Sequence, residues 1–441
     1  MAANGKRKVA AWALVLAVAL TACQSQRAGG GGGGDVKTDV GITSEPCPGS
    51  SHADRGCIYL GVLSDLTEGP FRALAVPITE AQKAFWKRVN DQQNGIGGRY
   101  DVDIDTYTRD NKYNPEEQVA KFREIEPKVL ALAQSLGTPP TLATLPLFKD
   151  SDVVAAPASW WSGWAFEDVV LESGHNYCIE SMNGLDFAAA EFGKPATVMA
   201  VHYPGDYGGD SAAGVTEWAK VNGVSFDAKA NNVQTLPNAQ AGNQDAAVGA
   251  ILKVKPDVVM LATGPAEMAE IVGKSVAQGF KGRFVGSAPT FNNALLKSEA
   301  APAIKASYHV MAPWSPFGAS DDAAHKAMQE AVGAGKVPAN DGYTQGWMWS
   351  YPLKAVLQKA FDDGDLTRAG VRKAVGEVTV DYEGAMPPKK YSGDPNQNVV
   401  RTSLVAKPDD SAPLGLSVFK EQAAGPTAQQ FKFTKPCQSV G

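Results

Sequence analysis

A short polar loop, Ser135-Leu136-Gly137-Thr138-Pro139-Pro140, lies between an apolar segment and a segment with helical spacing. Proline suits the first turn of a helix, so Thr138 is predicted to stand where backbone N–H groups point outward. Hydroxyls and N–H groups at a helix N-terminus are what a ligand carboxylate needs. The loop therefore predicts an anion-binding site, with a plain helix cap as the alternative.

Sequence motifs typical of catalysis are missing from the chain. The segment "GDSAAG" at 209–214 lacks the spacing of a nucleophile elbow, and "GIGG" at 95–98 follows a helix rather than a strand. There is no H-E-x-x-H motif and no P-loop, and the five histidines and the cysteines show no zinc spacing. We expect no enzyme activity, catalytic residue, metal or cofactor, although a triad assembled from distant residues stays open.

Cys23 stands at the end of a segment typical of secreted bacterial lipoproteins. Basic residues at 6–8 precede an apolar run of 12 residues, which is too short to cross a bilayer, and Leu20-Thr21-Ala22 leads into the cysteine. We predict that residues 1–22 are removed and that Cys23 carries a lipid; an ordinary signal peptide with a chance cysteine is the alternative. The six glycines at 29–34 predict a flexible tether over 23–56, which holds the body at the outer face of the cytoplasmic membrane.

The four other cysteines form an even set, as expected of an exported protein. Three pairings are possible. Cys47 and Cys57 bracket a turn-rich segment that can close a small loop, so we favour Cys47–Cys57 and, with it, Cys178–Cys437. Free buried thiols are the alternative.

Length and charge restrict the architecture and the partners. Without residues 1–22, the 441-residue chain retains 419 residues, which predicts two domains. The removed segment holds three cations and no acid, so the net charge changes from −6 to −9. This charge argues against a nucleic-acid partner.

Apolar strand-like segments alternate with helical ones in two series, separated near 174–184. The predicted strands are "IYLGVLS", "DVDIDTYT", "VLALAQS" and "VVAAPAS" in the first series, and "ATVMAVHY", "VSFDAKA", "DVVMLATG" and "RFVGSAPT" in the second. This alternation predicts an α/β protein whose parallel sheets are covered on both faces. Ligands bind beyond the carboxyl ends of such strands, so two facing sheets predict a site in the cleft between them.

Four of these segments resemble a known family. "GVLSDLTEGPF", "LAQSLGTPPTLATLPLFKDSDVVAAPAS", "GDYGGDSAAG" and "LATGPAEMAEIV" are similar to parts of the type I periplasmic binding proteins, above all the leucine/isoleucine/valine- and amide-binding subunits of ABC importers. The resemblance covers about 57–408. It implies two Rossmann-like lobes with parallel central sheets and a three-crossover hinge, which close around a small molecule like a Venus flytrap. We expect lobe I over 57–180 plus 290–402, and lobe II over 181–289 plus 403–441.

The resemblance also implies roles for individual residues. A ligand carboxylate would be held by Gly137 and Thr138, with Ser135 nearby and further contacts from Ala158 and Ser159. On the second lobe, Tyr207 would face the ligand and Glu267 would receive an ammonium group; a first-turn glutamate that only stabilises its helix is the alternative.

Tandem tryptophans, Trp160 and Trp161, depart from the family pattern and weaken the case for leucine as the ligand. They could stack on a ligand or pack between the lobes. Phe71 and Leu74 are weaker candidates for an apolar wall.

These features together predict a lipid-anchored monomer that binds a small amino acid and delivers it to ABC permease subunits. Two alternatives stay open. One is a tethered ligand sensor with the same lobes. The other is an importer component whose cargo is an amide, urea or aromatic carboxylate, which lacks an ammonium group.

Overall fold

A computed structural model describes residues 36–439 of the chain. The predicted signal peptide, the lipid-bearing Cys23 and the polyglycine segment lie outside the described residues, so those predictions stay predictions. Within 36–439, no helix combines the length and the apolar character that a membrane span requires.

The first lobe is built on a mainly parallel sheet. Its elements are β1 (Lys37–Thr38), β2 (Ile42–Thr43), β3 (Gly56–Ser64), α1 (Arg72–Gln92), β4 (Tyr100–Asp110), α2 (Pro115–Ile125), β5 (Ala131–Leu136), α3 (Thr138–Asp150) and β6 (Ala155–Ala158). Strand β3 pairs in parallel with β4 and β5, and β5 pairs in parallel with β6. Because β3 and β5 are buried along nearly their whole length, helices must cover both faces of this sheet.

The second lobe repeats this plan after a crossover. Its elements are α4 (Tyr177–Phe192), β7 (Val198–His202), α5 (Gly205–Asn222), β8 (Asn232–Gln234), α6 (Asn238–Ala241), α7 (Asp245–Val254), β9 (Val258–Ala262), α8 (Pro265–Ala277), β10 (Arg283–Gly286), α9 (Ala301–Ser307) and β11 (Tyr308–Ala312). The parallel strands lie in the order β8-β7-β9-β10-β11.

The chain then returns to the first lobe and finally to the second. The return contains α10 (Ala323–Val332), α11 (Gly342–Met348), α12 (Ser350–Asp362), β12 (Asp365–Leu366), α13 (Arg368–Val375), β13 (Thr379–Val380), β14 (Lys389–Lys390) and α14 (Pro395–Asn398). The last elements, β15 (Ser403–Pro408), β16 (Leu416–Ala423) and α15 (Pro426–Gln430), extend the second lobe, where β15 pairs antiparallel with β11. The two-lobed α/β fold with mostly parallel sheets is thereby confirmed.

The lobes are closed on each other. Tyr203, Tyr207 and Ala262 of the second lobe are buried in the same hydrophobic cluster as Leu136 and Trp160 of the first. Three connections join the lobes: β6 to α4, β11 to α10, and α14 to β15.

The predicted domain boundaries need two corrections. Residues 290–312 belong to the second lobe, because β11 pairs with β10 in its sheet; two 3₁₀ turns, Ala288–Thr290 and Asn293–Lys297, interrupt the strand–helix alternation and hide this continuation. From Val36 onward the predicted tether is packed against the body, because β1 pairs with β12 and β2 with β3.

One predicted strand is also wrong. Of "VSFDAKA" only Ser225 makes a β-bridge, with Thr197, and the segment ends in a turn in which the Asp227 carboxylate accepts hydrogen bonds from the N–H groups of Lys229 and Ala230. The strand that completes this edge of the sheet, β8, follows immediately after the turn.

The favoured disulfides, Cys47–Cys57 and Cys178–Cys437, are both present. The second disulfide belongs to a C-terminal strap, which we define as residues 437–439. The Cys437 N–H donates to Ser162 Oγ (2.8 Å), the Gln438 N–H donates to Asp210 Oδ1 (3.1 Å), and the Gln438 carbonyl accepts the Trp161 indole N–H (3.0 Å). The strap therefore links the first crossover to α5.

Candidate ligand-binding cleft

A cavity of about 40 Å³ lies between the lobes at the carboxyl ends of β5 and β6. We call it the first cavity. Its lining residues are Phe71, Leu74, Ile78, Tyr113, Leu136, Gly137, Thr138, Ala158, Ser159, Trp160, Tyr177, Tyr207, Pro289, Gln345 and Trp349. Within the described part of the chain, this lining contains no acidic, basic or histidine side chain, so the wall is apolar with a few neutral polar groups.

The N-terminus of α3 opens into the first cavity through a glycine. Gly137 has φ +90°, a backbone conformation that favours glycine, and a Cβ at this position would overlap the ring of Tyr113. Helix α3 begins at the next residue, with prolines in its first turn. The positive end of the helix dipole therefore faces the cavity region.

Two lining side chains have buried polar atoms without partners. Within the described residues, neither Thr138 Oγ1 nor Trp349 Nε1 makes a hydrogen bond. The Gln345 carboxamide, also in the lining, makes no hydrogen bond to a described residue either. An unsatisfied buried polar group costs about 1–3 kcal/mol, so a ligand acceptor beside these donors would remove a real penalty.

Tyr113 is brought to the cavity by a strained loop. Lys112 and Tyr113 have φ values of 53° and 57°, which are uncommon for residues other than glycine. The Asn111 side chain supports the loop by accepting the Tyr113 N–H (2.9 Å), and the Tyr113 ring lies 4.8 Å from that of Phe71. Such strain is concentrated at functional sites, because only the surrounding packing maintains it.

An aromatic cluster closes the cavity on the hinge side. The Trp160 ring lies 4.8 Å from that of Trp349, and its indole N–H donates to the Ser173 carbonyl (2.6 Å). Tyr207 packs on Tyr177 with ring centroids 4.6 Å apart and donates its hydroxyl proton to the Thr263 carbonyl (3.1 Å). These rings are held in fixed orientations.

An acidic residue lies directly behind the first cavity. Asp206, in the first turn of α5, is buried, and its Oδ2 has no hydrogen-bond partner within the described residues. Burial raises the pKa of Asp206 to about 6, while the nearby Thr138 hydroxyl and two backbone N–H groups oppose the rise. Asp206 and Thr138 thus bring the first turns of α5 and α3 together across the cleft.

Six of the nine ligand residues predicted from the sequence line this cavity: Gly137, Thr138, Ala158, Ser159, Trp160 and Tyr207. Ser159 is partly engaged, because its hydroxyl accepts the indole N–H of Trp164 (3.0 Å).

Three predicted ligand residues lie elsewhere. Ser135 Oγ is buried and hydrogen-bonded to Gln118 and Thr141, and Trp161 is tied to the C-terminal strap. Glu267 lies in the first turn of α8, where its Oε1 accepts the Asn238 backbone N–H (2.7 Å). Local hydrogen bonds therefore already engage Ser135 Oγ, the Trp161 indole N–H and one carboxylate oxygen of Glu267.

The structure adds seven lining residues beyond those predictions and the weaker candidates Phe71 and Leu74; they are Ile78, Tyr113, Leu136, Tyr177, Pro289, Gln345 and Trp349. Tyr113 could have been found, because it follows β4 as Thr138 follows β5. Gln345 and Trp349 carry no such signal, because a distant helix contributes them. Within residues 36–439, no cluster of potential metal ligands occurs.

The fold and the cleft define a two-lobed binding protein, and comparison assigns its family. The family model described as periplasmic binding protein matches residues 58–412, so the chain belongs to this family. With its two-lobed fold, the chain is a type I periplasmic binding protein, one of the extracytoplasmic substrate-binding proteins of ABC transporters. The family binds and delivers substrates rather than converting them. No curated protein matches the chain significantly.

Solved structures share this fold. A fatty acid ABC transporter substrate-binding protein from Thermomonospora curvata is 25% identical, with a TM-score of 0.78 over 90% of this chain and 97% of the other. A branched-chain amino-acid ABC transporter protein from Thermus thermophilus, with bound valine, is 16% identical, with a TM-score of 0.70 over 85% and 98%. A leucine-binding protein from Thermotoga maritima is 14% identical, with a TM-score of 0.66 over 83% and 98%.

Proposed function

We propose that this substrate-binding protein carries a carboxylic acid with an apolar body to an ABC permease. The observation that carries the proposal is the pair of unpartnered donors, Thr138 Oγ1 and Trp349 Nε1, in a wall that is otherwise mostly apolar. An acid would place its carboxylate at these donors and its hydrocarbon part against the aromatic and aliphatic side chains.

Neutral groups are sufficient to hold the carboxylate. Thr138 is the first residue of a 13-residue helix, so backbone N–H groups and the helix dipole add to its hydroxyl. Hydrogen bonds to a charged group contribute about 1.5–3 kcal/mol each. Two or three of them inside a closed cleft can replace a basic partner.

The lining offers no carboxylate to an ammonium group. Glu267, the partner suggested by the family resemblance, lies outside the lining, and its Oε1 is engaged by Asn238. Burying an ammonium group without a partner costs more than burying a neutral group. This cost favours a simple acid over an amino acid. The Thermomonospora curvata relative, named as a fatty-acid-binding protein, supports the same class of cargo.

A small amino acid is the second candidate, and Asp206 is the observation that favours it. Its unpartnered Oδ2 lies near Thr138, so an amino acid with its carboxylate at α3 could direct its ammonium group to Asp206. In this version Asp206, rather than Glu267, is the ammonium partner. The valine bound to the Thermus thermophilus relative supports the candidate at the level of the fold.

Three six-carbon ligands separate the candidates because they differ only at the head group. We would titrate the soluble body with hexanoate, hexanamide and norleucine by calorimetry and by thermal shift. A ligand at 100 times its Kd raises the free energy of unfolding by about 2.7 kcal/mol. We expect hexanoate to bind at least tenfold more tightly than norleucine. Tighter binding of norleucine, abolished by Asp206→Asn, would instead establish the amino-acid candidate.

The remaining parts of the proposal concern the cell. We infer that Cys23 anchors the monomeric protein to the outer face of the cytoplasmic membrane and that ABC permease subunits receive its cargo. Cys23→Ser should release the protein from the membrane fraction. Uptake of labelled ligand should stop in cells that lack the protein; unchanged uptake with a lost ligand response would favour the sensor alternative.

A further inference from the structure

A second cavity, of about 30 Å³, lies beside the first one between the lobes. It is enclosed by the end of β11, the second crossover, the loop before β16 and the start of α11. The two cavities share two lining residues, Leu74 and Gln345. These two side chains therefore form a partition between neighbouring spaces in one cleft.

The wall of the second cavity is mainly apolar and deeply buried. It includes Met311, Trp314, Leu414 and Leu416, none of which is more than 6% exposed. A wall of this composition accepts a hydrocarbon chain.

The polar residues of this wall are engaged elsewhere. Asn292 Oδ1 accepts the Ala294 N–H (2.9 Å), and the Asn293 side chain donates to the Ala339 carbonyl (3.2 Å). Asp341 Oδ1 accepts the Phe317 N–H and the Thr344 hydroxyl. Each amide or carboxylate side chain of this wall, apart from Gln345 in the partition, therefore already has one polar atom engaged within the protein.

The partition can open without backbone movement. The backbone at Leu74 is fixed, because the Asn340 side chain donates to the Ala73 carbonyl (2.7 Å) and Gly342 packs so closely that a Cβ there would lie 2.7 Å from the Leu74 carbonyl oxygen. The side chains are less restrained: Leu74 is apolar, and the Gln345 carboxamide has no hydrogen bond to a described residue. Turning them aside changes side-chain rotamers and not the backbone, and because both side chains are buried their neighbours must move with them.

We propose that the two cavities join into one elongated site and that the cargo is an unbranched carboxylic acid long enough to enter both. This inference rests on the proposed function. The carboxylate lies in the first cavity, at Thr138 and the N-terminus of α3. The chain passes between Leu74 and Gln345 and ends in the second cavity, whose wall is mainly apolar.

A chain-length series tests this arrangement. We would titrate wild type and Ala312→Leu with unbranched acids from butanoate to dodecanoate. Ala312 lines only the second cavity, so the larger side chain fills that space. In wild type, affinity should rise about fourfold per methylene until both cavities are filled. In Ala312→Leu the rise should stop at a shorter chain, while the shortest acids bind as in wild type.

Each outcome separates this inference from the proposed function. If wild type binds the acids and Ala312→Leu keeps the same chain-length profile, the second cavity holds no ligand and the inference is wrong. If no acid binds wild type, the proposed function itself fails. Leu414→Phe narrows the cavity from another wall and repeats the test if Ala312→Leu does not fold, and Leu74→Ala should strengthen binding of the longest acids.

Discussion

Two strand-to-helix loops of this molecule have similar sequences, but their polar side chains differ in whether they are hydrogen-bonded. In the first lobe, β5 leads through Gly137 into α3; in the second, β9 leads through Thr263 and Gly264 into α8. Both helices begin with a proline in the first turn. The Thr138 hydroxyl is unpaired and lines the cavity, whereas Glu267 is engaged by Asn238. A strand end becomes a binding site only when it keeps unused hydrogen-bonding capacity.

Gly137→Ala should have the largest effect. The unfavourable φ alone costs about 1–3 kcal/mol of stability. The new methyl group would also overlap the Tyr113 ring, which destabilises the fold further and takes up space in the cavity. We expect a marked loss of stability in denaturant unfolding and loss of detectable hexanoate binding. Gly193→Ala is the matched control, because Gly193 has φ +91° but no neighbouring atom within 4 Å. Equal loss in both variants, with binding retained, would show that the Gly137 loop is only a strained turn.

Asp206→Asn should change how stability depends on pH. Because the pKa is raised from 3.8 to about 6, the folded protein retains a proton that the unfolded chain has already released. This group's contribution to stability therefore falls as pH rises from about 4 to 6 and then stays level. The fall should be about 2–3 kcal/mol, measured by urea unfolding at several pH values. The variant should lack it; an unchanged pH profile would mean that Asp206 is not the group responsible.

Thr138→Val should weaken binding with little effect on the fold. The Thr138 hydroxyl makes no hydrogen bond within the described residues and acts on the fold only through the nearby Asp206 carboxylate, so the free energy of unfolding should fall by less than about 1 kcal/mol, whereas hexanoate affinity should fall about tenfold. Thr144→Val serves as the control, because the Thr144 hydroxyl already donates to the Pro140 carbonyl within the same helix (3.0 Å). Calorimetry that finds equal affinity for wild type and Thr138→Val would remove Thr138 from the site.

Glu267→Gln should have the smallest effect. A glutamine at this position can still accept the Asn238 N–H through its carbonyl oxygen, so affinity should change less than twofold for hexanoate and for norleucine. The measurement is calorimetric titration with both ligands. A tenfold loss of affinity for norleucine alone would show that Glu267 is the ammonium partner. Both loops would then contribute to the ligand site.

The fold was predictable because its signals are local and repeated. Segments such as β5 and β9 are uniformly apolar, and they alternate with helices along both lobes. The same regularity placed Thr138 between a strand and a helix, and the family resemblance added Gly137, Ala158, Ser159 and Tyr207; all five line the cavity.

Other parts depend on contacts between distant segments. Trp349 reaches the cavity because α11 packs closely on α1, where a Cβ at Gly346 would overlap the Ile78 backbone. No sequence pattern near Trp349 predicts this contact between α11 and α1. In the same way, no residue close to Glu267 in the sequence indicates that the Asn238 N–H donates a hydrogen bond to its carboxylate.

The C-terminal strap joins the two lobes close to the cleft. The Cys178–Cys437 disulfide fastens the strap to α4 of the second lobe, and the strap also makes hydrogen bonds with Trp161 and Ser162 at the start of the first crossover. Because Trp161 packs in the core cluster of the first lobe, the strap acts as a fourth link between the lobes, beside the three crossovers. The cleft can therefore open only as far as these hydrogen bonds stretch or break.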